Sequence, residues 1–506
     1  MFRWKSLAAV TVVAALGLTG CAASGSGTDS KAPTTLTLGV LVPATTFSAA
    51  DMNFANESPY GQAVYDTLLK AGPTGKILPD LATTWSYNAD NTVLTLTLRD
   101  DVTFTDGTKF TADAAAQNLI RFRDGASPNK SFLASLADAK AVNDTTVELT
   151  LNQADPALLN YLTQNAGMVE SPKAFGNSDI KTNPVGSGPY TLDTKTTVVG
   201  TSYKFTKNAK YWDPSSVHYS NLVLNVYPDT TSLLNAIKGG QVNGANLVNN
   251  DDLSEIEGAG YKINAFELNW TGLILFDRAG TMNPALKDVQ VRQAINYAFD
   301  TKALLKAVGQ GFGTTTTSIF PTSSVGYDKA LDSRYAYDPK KAKALLADAG
   351  YAKGLTLNMP STPLLGSATF TLIQQQLKDV GITVKYTDVG NNFIADILAP
   401  KYPATYMILQ EDQDWALINF EITKTATFNP TKYSDPKVDA LVKTVHNGTK
   451  AESDAAVKEL NTYIVEQAWF APWYRMQSSY ATDAHTKVQT QVGNAYPYLW
   501  NFIPAS

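Results

Sequence analysis

The chain contains a single cysteine, Cys21, so no disulfide can form within it. A fold without disulfides draws its stability from buried apolar surface, and 44% of the 506 residues are hydrophobic. One hydrophobic core stops growing at about 250–300 residues, well below the length of this chain. The sequence therefore predicts two or more lobes, each built around its own core.

The N-terminal residues have the pattern of a bacterial export signal. Two basic residues precede an Ala, Val and Leu run over residues 7–18, which is too short to span a membrane. The run ends in Leu-Thr-Gly-Cys at residues 18–21, which is similar to the lipobox, where a signal peptidase cleaves and the cysteine is acylated. The alternative is a secretory signal that contains a cysteine by chance. We expect residues 1–20 to be a lipoprotein signal peptide and Cys21 to carry the lipid.

A flexible linker is predicted after the signal. Residues 22–34 are rich in Ser, Gly, Thr and Ala and show no apolar periodicity. We therefore assign residues 21–33 to a linker between the lipid and a folded domain. The predicted location is extracytoplasmic, with the protein anchored by its lipid to the outer face of the cell membrane.

The charge pattern argues against a nucleic-acid partner. The formal net charge is -5, and like charges occur only in short runs. A nucleic-acid-binding protein needs a basic surface to contact phosphates, which this composition does not provide. We therefore expect no nucleic acid among the partners.

Strand and helix patterns are mixed along the chain. Apolar and polar residues alternate over residues 35–38 and 93–99, as they do in half-buried strands. Helical periodicity begins after the capping residues Thr111, Asp229 and Asp338. Because the two patterns are interspersed rather than segregated, the sequence predicts an α/β or α+β fold.

One amphipathic pattern is longer than the others. Residues 289–307 predict a single long helix. The glycines of residues 309–313 follow that helix, whereas a phosphate-binding loop would lie between a strand and a helix. We therefore interpret them as a helix end and a turn.

Several blocks of sequence, taken in order, carry a resemblance to a known family. They are GKILPDLATTW at 75–85, LTLRDDVTFTDGT at 96–108, PVGSGPY at 184–190, NAKYW at 208–212, VRQAINYAFD at 291–300 and YDPKKAKALL at 337–346. In this order they resemble the family 5 extracellular solute-binding proteins, the group that includes oligopeptide, dipeptide and nickel binding components of ABC importers. The resemblance covers nearly the whole chain after the linker.

The resemblance implies an α/β fold of the periplasmic-binding-protein type. It would be a two-lobed clamshell of type II, with an extra domain inserted in the first lobe. Two hinge strands would join the lobes, and bending there would close the clamshell around a ligand. The expected boundaries are residues 34–60, 186–265 and 483–506 for lobe I, 61–185 for the inserted subdomain and 266–482 for lobe II.

No motif for catalysis or metal binding stands out. The Gly-Ser-Gly at 186–188 lacks the spacing of a nucleophile elbow, and Pro189 prevents the helix that would have to follow it. None of His218, His446 and His485 has a second ligand at metal-binding spacing. We therefore expect no enzyme activity, no cofactor and no bound metal.

The main ligand-binding candidates follow an apolar strand at residues 406–409. The segment Gln-Glu-Asp-Gln-Asp-Trp at 410–415 places three carboxylates and an indole after that strand, where ligands bind in open α/β sheets. Family members often carry an Asp here that receives the α-ammonium of a peptide, so the resemblance implies this role for Asp412 or Asp414. The usual family pattern has the aromatic before the Asp, whereas here Trp415 follows it. The alternative interpretation is a solvated acidic loop.

Two further tryptophans are candidates for the cleft. Trp270 lies at the predicted start of lobe II, where an aromatic can line the cleft or pack in the core, and the resemblance favours the cleft. Trp469 and Trp473 flank a stretch that leads to the second hinge, so one would face the cleft and the other the core. We take Trp473 as the cleft residue. An aromatic-lined cleft suits peptides and sugars about equally well.

The predicted function is the capture of a small solute between the lobes and its delivery to the permease subunits of an ABC importer. Peptides are the leading solutes, and oligosaccharides, opines and metal chelates are the alternatives. Two other functions stay open at this point: a lipid-anchored enzyme acting on the cell envelope, and a sensor or chaperone-like lipoprotein. We expect the protein to be a monomer.

Overall fold

A computed structural model describes residues 34–248 and 250–505 of the chain. These residues belong to one compact unit. The predicted signal peptide, Cys21 and the linker at 21–33 lie outside the described residues. Within the described parts, no helix combines the length and the apolar character that crossing a membrane requires.

The strands of the structure include some, such as those at Val93–Leu98 and Thr146–Leu151, that show the alternating burial of a half-buried strand. Their bounds are β1 (Thr35–Val40), β2 (Leu69–Ala71), β3 (Ile77–Pro79), β4 (Ala82–Tyr87), β5 (Val93–Leu98), β6 (Leu136–Asn143), β7 (Thr146–Leu151), β8 (Tyr190–Leu192), β9 (Ser202–Lys207), β10 (Asn221–Val226), β11 (Gly244–Leu247), β12 (Lys262–Leu275), β13 (Gly313–Thr315), β14 (Leu355–Ser361), β15 (Ile382–Asp388), β16 (Ala404–Gln410), β17 (Phe470–Thr482), β18 (Thr486–Val488) and β19 (Phe502–Pro504). In β5, for example, Leu94, Leu96 and Leu98 are buried while the residues between them are less so. The predicted strands at 35–38, 93–99 and 406–409 are confirmed as β1, β5 and β16.

The α-helices include several that begin where a short polar side chain caps them. Their bounds are α1 (Ser58–Val64), α2 (Ala112–Asp124), α3 (Leu158–Tyr161), α4 (Thr230–Lys238), α5 (Leu253–Gly258), α6 (Val289–Tyr297), α7 (Thr301–Ala307), α8 (Pro339–Asp348), α9 (Ser367–Asp379), α10 (Phe393–Ile397), α11 (Asp414–Leu417), α12 (Pro436–Asn447) and α13 (Lys450–Glu466). Thr111, Asp229 and Asp338 accept backbone N–H bonds at the starts of α2, α4 and α8, at 3.3, 2.7 and 2.9 Å. The predicted caps are therefore confirmed.

The predicted long helix at 289–307 is wrong in one respect, because the structure divides it into α6 and α7. The division falls at residues 298–300, and the Asp300 side chain accepts a 3.0 Å hydrogen bond from the Ala303 backbone N–H. An aspartate inside an apolar helical pattern can bond to the backbone in this way and start a new helix. The periodicity continued across the break, so it concealed the cap.

Three large hydrophobic cores fill the structure. The first-lobe core draws mainly on residues 36–71, 190–224 and 480–502. The inserted core draws on residues 68–169, and the second-lobe core on residues 270–474. A smaller, separate cluster includes Ile237 and Tyr261. The chain therefore has several cores, as its length predicted.

One large sheet runs through both lobes. Its strand order is β16-β12-β17-β11-β1-β10-β9-β8, with β13 also paired to β17. The long strands β12 and β17 pair antiparallel along most of their length. One end of this pair bonds to β11 in the first lobe, and β12 bonds to β16 in the second lobe. These two strands are thus the connection between the lobes.

The pair of crossing strands is interrupted by two irregularities. One lies between Glu267 and Asn269, where Leu268 is the extra residue, and the other lies between Thr271 and Gly272. Such bulges bend a strand and weaken its ladder locally. The predicted lobe boundaries remain a prediction, because residues 33–506 form one unit with no internal break.

Candidate functional site

A cavity of about 550 Å³ lies between segments that are far apart in the sequence. Its volume falls in the range of pockets that hold small organic ligands, roughly 300–1,000 Å³. One wall consists of residues 74–77 and residues around Ala157, and the facing wall of residues 323–325, 413–416 and part of α13. We call it the main cavity.

A smaller cavity of about 220 Å³ adjoins it at the crossing strands. Ser323 and Val492 line both cavities. The lining also includes Glu267 on β12 and Glu411, the residue that follows β16. We call this space the hinge cavity.

Asp414 is the predicted site residue that the structure places in the wall of the main cavity. It is the first residue of α11, and its carboxylate accepts hydrogen bonds from the Ser324 hydroxyl and, at 3.3 Å, from the Val325 backbone N–H. Burial raises the pKa of its carboxyl, and the hydrogen bond from Ser324 opposes that effect. A half-buried carboxylate held in this way can accept a further hydrogen bond from a ligand cation.

Trp415 also lines the main cavity. It is half-buried, and its ring lies 4.9 Å from that of His446, measured between centroids. Beyond it, Lys450 at the start of α13 forms a 2.6 Å ion pair with Asp454, and both line the same cavity. The wall around Trp415 therefore offers an aromatic face next to charges of both signs.

Asp412 lines neither cavity, although Glu411 before it lines the hinge cavity and Gln413 after it lines the main cavity. Its carboxylate accepts a 2.8 Å hydrogen bond from the Gln410 side-chain amide. Burial raises its pKa to about 6. Of the two aspartates predicted to meet an ammonium, Asp414 is therefore the one that borders the main cavity.

Trp270 and Trp473 occupy different positions from those expected. Both are 0% exposed and belong to the second-lobe core. Trp270 packs edge-to-face on Phe470 and approaches Glu421 through its indole N–H at 3.4 Å. Trp473 stacks on Tyr406 with centroids 5.3 Å apart. The expectation that these two rings face the cleft is thus corrected to core packing, because each is enclosed by side chains of its own lobe.

Arg475 organises the charges behind the hinge cavity. It is buried in β17, and its guanidinium pairs with Glu411 at 3.0 Å and with Asp332 at 2.8 Å. It also donates a 2.9 Å hydrogen bond to the Phe320 carbonyl. Sequence reasoning noted Glu411 within the acidic segment but did not select it, and it did not find Glu267 or Arg475. Their proximity arises from pairing between distant strands, which leaves no local sequence signal.

Burial changes the protonation of Glu411. Its side chain is buried, and burial raises its pKa to about 8. The guanidinium of Arg475 opposes this shift, whereas the neighbouring charge of Glu267 adds to it. The wall of the hinge cavity therefore holds a carboxyl group that is partly protonated near neutral pH.

The chain is similar to known solute-binding proteins along most of its length. The sequence pattern of the bacterial extracellular solute-binding proteins, family 5, matches residues 76–440. The glutathione-binding protein GsiB of Escherichia coli (strain K12) is 28% identical over 467 residues, which cover 88% of each chain.

Solved structures share the fold. HbpA2 from Haemophilus parasuis superposes with a TM-score of 0.83 at 22% identity, covering 93% of this chain and 100% of that one. The murein tripeptide binding protein MppA, in its unliganded open form, gives a TM-score of 0.82 at 18% identity, covering 93% and 97%. The two-lobed architecture expected from the sequence is confirmed by these structures. The relatives are solute-binding proteins rather than enzymes, and this chain belongs to the family 5 bacterial extracellular solute-binding proteins.

Proposed function

We propose that this protein is the lipid-anchored substrate-binding component of an ABC importer and that it captures short peptides in the main cavity. The observation that carries this proposal is a cavity of about 550 Å³ between segments that are far apart in the sequence, with the carboxylate of Asp414 in its wall. A peptide with a free amino terminus brings an ammonium group to such a carboxylate. GsiB and MppA are named for glutathione and for a murein tripeptide, which are both small peptides.

Closure of the lobes would complete the site. Bending of β12 and β17 brings the wall at residues 74–77 toward Asp414 and Trp415. Gln413 already reaches across, donating to the Gly75 carbonyl at 3.4 Å. Closing expels water, and the attraction between an ammonium and a carboxylate is stronger in the drier site.

The test is titration calorimetry of the purified full-length protein with a panel of tripeptides and their N-acetylated forms. Acetylation removes the ammonium, so we expect it to weaken binding at least about tenfold, equivalent to roughly 1.4 kcal/mol. Asp414→Asn should weaken binding of the free peptide by a similar factor and leave the acetylated peptide unaffected. The matched control is Asp90→Asn, which removes an exposed carboxylate that lines neither cavity.

Equal affinity for free and acetylated peptides would contradict amine recognition. If oligosaccharides bind and peptides do not, the aromatic face of Trp415 carries the affinity instead, and the solute is a sugar.

The lipid anchor has a separate test. Cys21→Ser should move the protein from the membrane fraction to the soluble fraction, with its fold unchanged by circular dichroism. Ser24→Ala, in the same segment, should stay with the membrane. A Cys21→Ser variant that still sediments with membranes after a high-salt wash would contradict lipid anchoring.

A further inference from the structure

The hinge cavity has a wall that is rich in carboxylates. Glu267 and Glu411 both line its space of about 220 Å³, and Ser323 and Val492 line both this cavity and the main cavity. Thr322 and Ser323 add hydroxyl groups to the lining. A ligand in the main cavity therefore lies next to the hinge cavity.

Glu411 presents one uncommitted oxygen at this wall. The residue is 3% exposed and its Oε1 pairs with Arg475 at 3.0 Å. Oε1 is the fully enclosed oxygen, whereas Oε2 accepts no hydrogen bond from residues 34–248 and 250–505. A ligand group in the cavity that donates to Glu411 would therefore form a hydrogen bond that the protein itself does not supply.

Carboxylates outnumber cationic side chains around the hinge cavity. Arg475 divides its guanidinium between Glu411 and Asp332. In the described parts of the chain, the half-buried carboxylate of Glu267 has neither an ion pair nor a hydrogen bond. Two carboxylates thus share one guanidinium, and the third, that of Glu267, has no cationic partner. Burial raises the pKa of Glu411, and the neighbouring charges of Glu267 and Asp332 add to that effect.

We propose that the hinge cavity is a second subsite, in which Glu267 and Glu411 bind a positively charged side chain of the ligand. This inference rests on the proposed peptide-binding function and narrows it to peptides that carry Lys or Arg. An ammonium or guanidinium has several donors, which suit two carboxylates and two hydroxyl groups that line one cavity. The amino terminus is bound at Asp414, so the two charges of a basic peptide occupy adjoining cavities.

The experiment compares tripeptides in matched pairs that differ only in one charge. Each pair has lysine or the uncharged, similarly long norleucine at the first, second or third position, with alanine elsewhere. Calorimetry with the full-length protein should show at least about tenfold tighter binding of the lysine peptide in one of the three pairs. Glu267→Gln should reduce that preference at least about fivefold, through a larger loss of affinity for the lysine peptide than for its norleucine twin.

Glu267 is suited to this test because it is half-buried and makes no ion pair, so its substitution leaves the fold intact. Asp90→Asn is the control and should keep the full preference. If lysine and norleucine peptides bind equally well in all three pairs, the second subsite is contradicted while the proposed peptide-binding function stands. A preference that survives Glu267→Gln would also contradict the second subsite. If no peptide of any pair binds the unmodified protein, the peptide-binding function fails and the inference falls with it.

Discussion

Trp270 and Trp415 occupy two different environments: Trp270 is buried in the core, whereas Trp415 lines the main cavity. Trp270 sits in a strand whose second half is fully enclosed, while Trp415 follows a strand end and retains an open face. Both positions look alike in a sequence, because an indole next to polar residues suits a cleft and a lobe boundary equally. Only the three-dimensional packing shows that the Trp270 ring is covered, by Phe470, Glu421 and the rest of the second-lobe core.

This difference predicts opposite effects of substitution. Trp270→Ala should lower the free energy of unfolding by about 3–5 kcal/mol, since it leaves a large void in the core. Trp415→Ala should cost much less stability but weaken ligand binding. Urea unfolding together with calorimetry separates the two effects. A Trp270 variant of normal stability would show that the ring is not enclosed.

Glu411 should make the stability of the protein depend on pH. Its pKa is about 8 in the folded protein and about 4.3 in an unfolded chain. The folded state therefore binds the proton more tightly, and this contribution to stability is present below about pH 4 and is lost as the pH rises through 8. Relative to Glu411→Gln, the unmodified protein should lose up to a few kcal/mol between pH 4 and pH 8.

The measurement is urea unfolding of both proteins at a series of pH values. Gly176→Ala changes no titratable group, so its difference from the unmodified protein should not vary with pH. Parallel curves for Glu411→Gln and the unmodified protein would contradict the assignment.

At the scale of elements, the sequence was most informative where a local bond decides the structure. The caps at Thr111, Asp229 and Asp338 were predictable because each depends on residues within one turn. The break between α6 and α7 was missed, although Asp300 supplies the same kind of bond, because the apolar periodicity on either side outweighed it. The site was predicted in part: Asp414 and Trp415 line the main cavity, while Glu267 and Arg475 depend on contacts between distant strands.

The Gly-Ser-Gly segment before β8 shows how an apparent catalytic motif can be structural. The Ser187 hydroxyl donates a 2.7 Å hydrogen bond to the buried Asp66. A Cβ at Gly188 would lie 2.5 Å from the backbone of Val64, which is too close for two carbon atoms. The glycine thus allows the turn to pack against the end of α1.

Gly188→Ala should therefore destabilise the protein by about 1–3 kcal/mol or more, because the backbone must move to accept the methyl group. The matched control is Gly176→Ala, where an added Cβ meets nothing within 4 Å. That variant should stay within about 0.5 kcal/mol of the unmodified protein. Equal stability of the two variants, measured by thermal unfolding, would contradict this account of the motif.

For the whole molecule, the crossing strands predict a change of shape when ligand binds. Saturating ligand should reduce the radius of gyration in solution scattering, because the lobes close over the main cavity. Asp414→Asn at the same ligand concentration should keep the larger radius, since it lacks the contact that favours closure. An identical scattering profile with and without ligand would show that binding does not require closure.

The two crossings between the lobes are adjacent strands of one sheet, and this has a mechanical consequence. Hydrogen bonds along β12 and β17 prevent the strands from sliding past each other, while the bulge at Leu268 lowers the resistance of the pair to bending. The lobes therefore move most readily by one motion, a rotation about an axis that crosses both strands. A pair of fluorescent labels on opposite rims of the cleft would follow that single coordinate, so this protein could be turned into a one-parameter optical sensor for its solute.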